Sequence, residues 1–287
     1  EYTNLVRDCF VGEFSHQIIL LDDDGKQNRI KERTEPFYHI QLTIKNQNNV
    51  TDSLENFILD ELMEGDNAFL DETLNLKVRA IKRVRIKSLP PTLILHLKRF
   101  EINYDTFEKV KLNDYFSFPF ELDMKPYMTK EEVETCTKFR LCGVIVHSGT
   151  ANGGHYYSYA RDRSSENNWY EFNDEVVERF DVSRLGEECY GGFVHHPCNS
   201  GQEGSQKHHN NIPIEKNAFM LFYERLESSA SDETRPLRKR RKLLDGRMHI
   251  GDRKDLQFTV TMHDSRITTQ IFKELDHCNS EFWNTRS

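Results

Sequence analysis

Apolar and polar side chains alternate with a period of two along much of this chain, and that pattern limits the fold more than any other feature. The clearest run is TLILHLKRF (92–100). Leu93, Leu95 and Leu97 fall on one face of an extended segment, and Ile94, His96 and Lys98 on the other. PFYHIQLTIKNQ (36–47) and VRAIKRVRIKSLP (78–90) alternate too, the latter stopping at a Pro-Pro pair, and DYFSFPFEL (114–122) is a shorter extended stretch. The second half is denser in such runs: FRLCGVIVHSG (139–149), GGHYYSYARD (153–162), WYEFNDEVVERF (169–180) and AFMLFYERL (218–226). One helical period interrupts them in VTDSLENFILDELMEG (50–65). There Leu54, Phe57, Ile58 and Leu62 share a face, Asp52 or Ser53 can cap the start, and Gly65 can end the helix. Several strands at short spacing with a helix or two predict an α+β fold dominated by antiparallel sheet.

The 287 residues suit one large domain or two small ones. Residues 195–216 are polar and turn-rich and read as a loop inserted between two strands. After about residue 227 the strand pattern stops. The remainder, 227–287, reads as a linker and basic extension carrying Arg238, Lys239, Arg240, Arg241 and Lys242, a run more often solvated than used as an import signal. A net charge of −8 argues against general nucleic-acid binding, which rests on neutralising phosphates. No apolar run is long enough to cross a bilayer, and the N-terminus has no basic segment followed by an apolar one. The chain also starts without Met, which reads as a processed chain or a piece of a longer one. Cys9, Cys136, Cys142, Cys189, Cys198 and Cys278 are scattered, with no CxxC pair, and read as reduced thiols of a cytoplasmic or nuclear protein. The glycosylation sequon at 49–51 then has no meaning.

Chemistry concentrates in residues 153–174. A cysteine hydrolase needs a thiolate, a histidine to generate it and a polar group to hold the imidazole. His155 follows Gly153 and Gly154 and opens a tyrosine-rich strand; Asn173 lies in the next strand. If the two strands pair about a centre at Ser164, in the RSSENN turn, paired residue numbers sum to 328 and His155 faces Asn173. Asp174 points to the other face, and a one-residue slip would exchange the two. His96 reads as a satisfied structural histidine. His147 reads similarly, and His195, His196, His208 and His209 lack the regular spacing and supporting groups of a metal site.

At this point the sequence resembles the ubiquitin-specific proteases. GVIVHSGTANGGHYYSYARD, NNWYEFNDEVV and NAFMLFYER look like the family's histidine box and its sequel, and LPPTLILHLKRF like the strand ahead of it. The resemblance covers about residues 10 to 226, and LNDYFSFPFELDMKPYM and EECYGG look closest to the very large, fat-facets-like members. It implies a papain-like cysteine protease fold described as thumb, palm and fingers. The fingers would span about 10–90 and the palm about 91–226, with the thumb largely missing. The implied activity is hydrolysis of isopeptide or peptide bonds after the C-terminal glycine of ubiquitin, with ubiquitin and ubiquitinated proteins as partners. His155 would be the general base and Asn173 its orienting partner, where most members have Asp. Gly153, Gly154 and Tyr156 would line the channel for the Gly-Gly tail.

Two departures sharpen the expectation. Nothing resembles the family's cysteine box, and Cys9, Cys142 and Cys189 read as structural or incidental. The chain alone is therefore expected to be inactive and to fold poorly. A non-catalytic ubiquitin-binding or scaffold relative is the rival reading, and a split enzyme whose cysteine half is a separate chain is a third. The second departure concerns metal: the family's zinc ribbon would place cysteine pairs near 19–24 and 71–74, and neither stretch has one. Four thiolates define such a site, so no metal and no cofactor are expected. Asp22, Asp23 and Asp24 read as a solvated acidic turn.

Overall fold

A computed structural model of the chain describes residues 2–226, apart from 23, 74, 130–135, 163, 164, 166, 167 and 196–210. The basic cluster at 238–242, most of the RSSENN turn, Cys198, Cys278, His196, His208 and His209 lie outside the described residues. In chain order the elements begin with α1 (Tyr2–Phe10), β1 (Gly12–Leu21), β2 (Gln27–Phe37), β3 (Ile40–Thr43), α2 (Val50–Phe57) and β4 (Glu61–Met63). They continue with β5 (Phe69–Asp71), β6 (Leu76–Val78), β7 (Ala80–Ser88), β8 (Thr92–Lys98), β9 (Phe100–Ile102), β10 (Lys109–Lys111) and β11 (Glu121–Asp123). The last are β12 (Lys138–Thr150), β13 (Gly153–Arg161), β14 (Trp169–Asn173), β15 (Val176–Phe180), α3 (Leu185–Cys189), β16 (Phe193–His195), β17 (Asn211–Pro213) and β18 (Lys216–Arg225).

Two sheets organise the described residues. A four-stranded antiparallel sheet runs β2-β1-β7-β4. The larger sheet runs β15-β14-β13-β12-β18-β8-β3, with β11 also pairing β12. Every neighbour in it is antiparallel except β3 with β8. β3 thus joins the large sheet although its sequence neighbours β1, β2 and β7 build the small one. The hydrophobic core lies on one face of the large sheet. Leu93, Leu95, Leu97, Val144, Val146, Leu221 and Tyr223 point into it, against Phe116, Phe118, Phe139, Leu54 and Trp169. Burying side chains of this size is worth about 1.5–3 kcal/mol each, which makes this face the main stabilising term.

Several elements differ from the sequence expectation. The run 36–47 breaks into the end of β2 and a separate β3, and WYEFNDEVVERF folds back on itself as β14 and β15. The reversal sits at Asp174, which adopts a left-handed φ of 51°, a conformation Asn and Asp tolerate better than most residues. The helix is shorter than its periodicity predicts. Asn49, rather than Asp52 or Ser53, caps it, accepting a bond from Asp52 N at 2.9 Å. Leu62 lies in β4, past the helix end. DYFSFPFEL forms β11 only at its end; upstream, Phe116 and Phe118 are buried as anchors of an irregular segment.

Candidate active site

The site is built on the hairpin of β12 and β13. Thr150 pairs with Gly153 across a two-residue turn, which places Ser148 opposite His155 and His147 opposite Tyr156. Gly149 holds a φ of +118°, and a Cβ there would sit 2.7 Å from Gly153 O. Gly154 is constrained differently. A Cβ at that position would lie 2.3 Å from His147 Nε2 and 2.4 Å from Ser148 O, whereas Gly153 has open space around it. The glycine at 154 is therefore demanded by the buried imidazole beneath it. His147 itself is wedged between Phe100 (5.1 Å between ring centroids) and Tyr156 (4.8 Å), and Tyr156 also meets Phe219 at 5.4 Å. Burial, with the nearby Lys111 cation, pushes His147 down to about 4, so the ring is neutral at pH 7. Its Nδ1 has no hydrogen-bond partner among the described residues.

His155 points to the opposite face from Tyr156 and is largely exposed. Its Nε2 lies 2.7 Å from Asn173 Oδ1 and 3.7 Å from Asp174 Oδ2. An amide oxygen only accepts, so Nε2 carries the proton and donates, and Nδ1 is left as the basic nitrogen. Asn173 Nδ2 faces Glu171 Oε1 at 3.5 Å, which sets the amide with its oxygen toward the imidazole. The His155 ring lies nearly parallel to Tyr157, 17° between planes, and the aromatic row continues through Tyr159 to Phe180 in the core.

The pairing that achieves this is not the one expected. β13 and β14 pair Ser158 with Phe172, Tyr159 with Glu171 and Arg161 with Trp169, so paired numbers sum to 330 rather than 328. The turn closes through Asp162 N to Asn168 O at 2.8 Å, two residues wider than a centre at Ser164 allows. A two-residue shift preserves faces, so His155 and Asn173 still lie on the same side and meet on a diagonal beyond the last paired residues. His147, Phe100 and Phe219 were missed as builders of the site. The same arithmetic about the turn at 151 and 152, where pairs sum to 303, would have put His147 opposite Tyr156. His96 also departs from expectation: it is partly buried, edge-on to Phe219 at 4.7 Å, and its Nδ1 has no hydrogen-bond partner among the described residues.

No described thiol lies within hydrogen-bonding distance of His155. Cys142 sits on β12 with Sγ 3.4 Å from Phe222 O, about 20 Å along the strand from Ser148. Cys189 is fully buried, and burial pushes its thiol far above the usual range. Among the described residues, no cluster of three His, Cys, Asp or Glu side chains could hold a metal ion. The stretches where a zinc ribbon would need cysteines do other work. Asp22 caps a turn by accepting from Lys26 N, and buried Asp71 pairs with Lys31 at 3.0 Å.

Residues 1–223 match the protein-family profile described as ubiquitin carboxyl-terminal hydrolase. Mouse ubiquitin carboxyl-terminal hydrolase 9X is 36% identical over 69% of this chain and 9% of its own length. The Drosophila melanogaster probable ubiquitin carboxyl-terminal hydrolase FAF is 34% identical over 76% of this chain and 8% of its own. This chain thus spans less than a tenth of either relative. Among solved structures, the SAGA Ubp8/Sgf11/Sus1/Sgf73 DUB module bound to ubiquitin aldehyde matches with a TM-score of 0.59 and 26% identity, over 78% of this chain and 43% of the other.

Proposed function

The chain belongs to the ubiquitin carboxyl-terminal hydrolase family, with the palm and fingers of a papain-like ubiquitin-specific protease fold, and from that premise we propose that it contributes the histidine side of a deubiquitinase active site. The bond cleaved is the isopeptide or peptide bond after the C-terminal glycine of ubiquitin. The observation that carries this reading is the 2.7 Å contact between His155 and Asn173 beside the exposed glycines 153 and 154. With its Nε2 proton held by Asn173, His155 takes the thiol proton of a cysteine nucleophile through Nδ1. The imidazolium then donates that proton to the leaving amine, and the freed base activates the water that hydrolyses the acyl-enzyme. Asn173 is neutral and does not balance the imidazolium; the carboxylate of Asp174, 3.7 Å away, supplies that charge.

The nucleophile in this reading is none of the cysteines of this chain. Support comes from the buried, charge-averse Cys189 and the distant Cys142. Ubiquitin and ubiquitinated proteins are the partners, and the cytoplasm or nucleus is the location. The test is a ubiquitin carrying a C-terminal electrophile, applied to the longest natural chain that contains these residues. A covalent adduct lost in His155→Ala supports the proposal, and an adduct that survives the substitution sinks it. The second reading, a ubiquitin-binding relative without catalysis, draws on those same thiols. It predicts ubiquitin binding with no adduct from any natural form.

A further inference from the structure

Lys111 ends β10 and is buried, with only 8% of its surface exposed. Among the described residues no carboxylate pairs with it. Its Nζ instead donates to three backbone carbonyls: His147 O at 3.1 Å, Gly149 O at 2.9 Å and Glu215 O at 2.5 Å. An ammonium has three N–H donors, and here each has an acceptor. Two of the carbonyls belong to the end of β12, and the third to the residue before β18. Gly149 N also donates to Glu215 O at 3.1 Å, closing the link between those two segments. The segment that follows β10 is tied to β18 by Arg99, which is fully buried and donates to Ala218 O, Leu112 O and Asp114 O.

The two β12 residues bound by Lys111 are the ones that set the site. His147 pairs with Tyr156 and lies under Gly154, while Gly149 pairs with Gly154. A buried ammonium is costly to desolvate, and an apolar side chain would fill this space without that cost. A cation there makes sense where the carbonyls must be drawn together. We propose that Lys111 is a positioning residue. Its ammonium gathers the carbonyls of His147, Gly149 and Glu215, and so fixes the turn at 149–153 that presents Gly154 and His155. This rests on the reading of His155 as the catalytic base.

The clamp needs the charge. A neutral amine has two protons for three carbonyls and turns its lone pair toward the third. Burial lowers Lys111 to about 8; Arg99 adds to the shift and Glu215 opposes it, and the facing His147 is uncharged at this pH. The three-point clamp is therefore complete at pH 7 and comes apart as pH rises through about 8.

The test uses the longest natural chain that carries these residues, as wild type, Lys111→Met, Lys111→Arg and the exposed neighbour Lys109→Met. Turnover of a ubiquitin C-terminal fluorogenic amide is followed from pH 6 to 10, together with amide exchange by mass spectrometry. In Lys111→Met, kcat is expected to fall up to about 10²-fold with KM within about twofold. Exchange should quicken at 147–155 alone, and the wild-type alkaline limb near pH 8 should be absent. Lys111→Arg should recover part of kcat, and Lys109→Met should match wild type. A kcat within twofold of wild type overturns the proposal, as does faster exchange spread equally over β8 and β18. Should Lys111→Met not fold, the wild type decides: exchange at 147–155, corrected for intrinsic rates, must quicken through pH 8, and no change overturns the clamp. His155→Ala separates the two claims, because full turnover in that variant defeats the reading of the site while the exchange result stands or falls alone.

Discussion

At the scale of single residues, the polar partner of His155 decides how the site responds to pH. Asn173 orients the ring without charge, through an amide whose other end faces Glu171. On the proposed reading, replacing His155 by Ala removes general acid–base transfer, and turnover by the longest natural chain that carries these residues is expected to drop by about 10²–10⁴-fold. Asn173→Ala should leave ubiquitin binding intact and lower kcat. Asn173→Asp should do something different. A carboxylate at the same distance favours the imidazolium, so the acid limb of the activity profile should move to higher pH. A pH–rate profile of the two proteins side by side checks this, and an unmoved acid limb argues against direct contact between the two side chains.

Elements carry two further expectations. In the hairpin of β12 and β13, neighbouring glycines have unequal constraints. Gly154→Ala drives a methyl into His147 and the Ser148 carbonyl, an overpacking change that costs about 1–3 kcal/mol, whereas Gly153→Ala meets nothing. Thermal melts should therefore show a lower Tm for the first and an unchanged Tm for the second. At the edge of the small sheet, Lys31 on β2 reaches Asp71 on β5, which pairs with β6 in a separate two-stranded ribbon, and also lies over the Phe69 ring at 5.1 Å. The Lys31 hydrogen bond, with that of Thr73 N, holds the Asp71 carboxyl below its usual range. A lowered carboxylate stabilises the fold above its unfolded value, about 3.9, and loses that contribution as pH falls through the folded value. Lys31→Met should thus lower Tm at pH 7, and the gap to wild type should close in acid. The same contact bears on metal. Packing and this ion pair join strands where a zinc ribbon would need thiolates, so purified protein is expected to carry no stoichiometric zinc. One equivalent in a metal assay overturns that.

For the whole molecule, the described residues leave large apolar side chains in solvent at separate places: Leu59 and Leu76 near the small sheet, Tyr104 and Phe107 beyond β9, and Val176 beside Asn173. The 287-residue chain on its own is expected to form no adduct with electrophilic ubiquitin and to melt over a broad range. A sharp cooperative transition, followed by circular dichroism and calorimetry, would count against the second expectation.

Most strand positions and the shared face of His155 and Asn173 were legible in the amino-acid sequence, because a period of two assigns faces without any knowledge of neighbours, but the break of WYEFNDEVVERF into β14 and β15 at Asp174 was not. The register was not. Pairing numbers that sum to 330 depend on the width of the turn after Asp162, which the alternation does not encode. Nor was the helix cap legible, since Asn49 competes with Asp52 and Ser53 until the chain's path into α2 is fixed. The carbonyl cage of Lys111 and the imidazole under Gly154 lie further still from view. They join residues 36 to 104 positions apart or on opposite strands, and only packing the large sheet brings them together. Local sequence determined which side chains face the site, through the covalent geometry of an extended chain. Tertiary structure decided which of them touch, because contact depends on where separate segments close on one another.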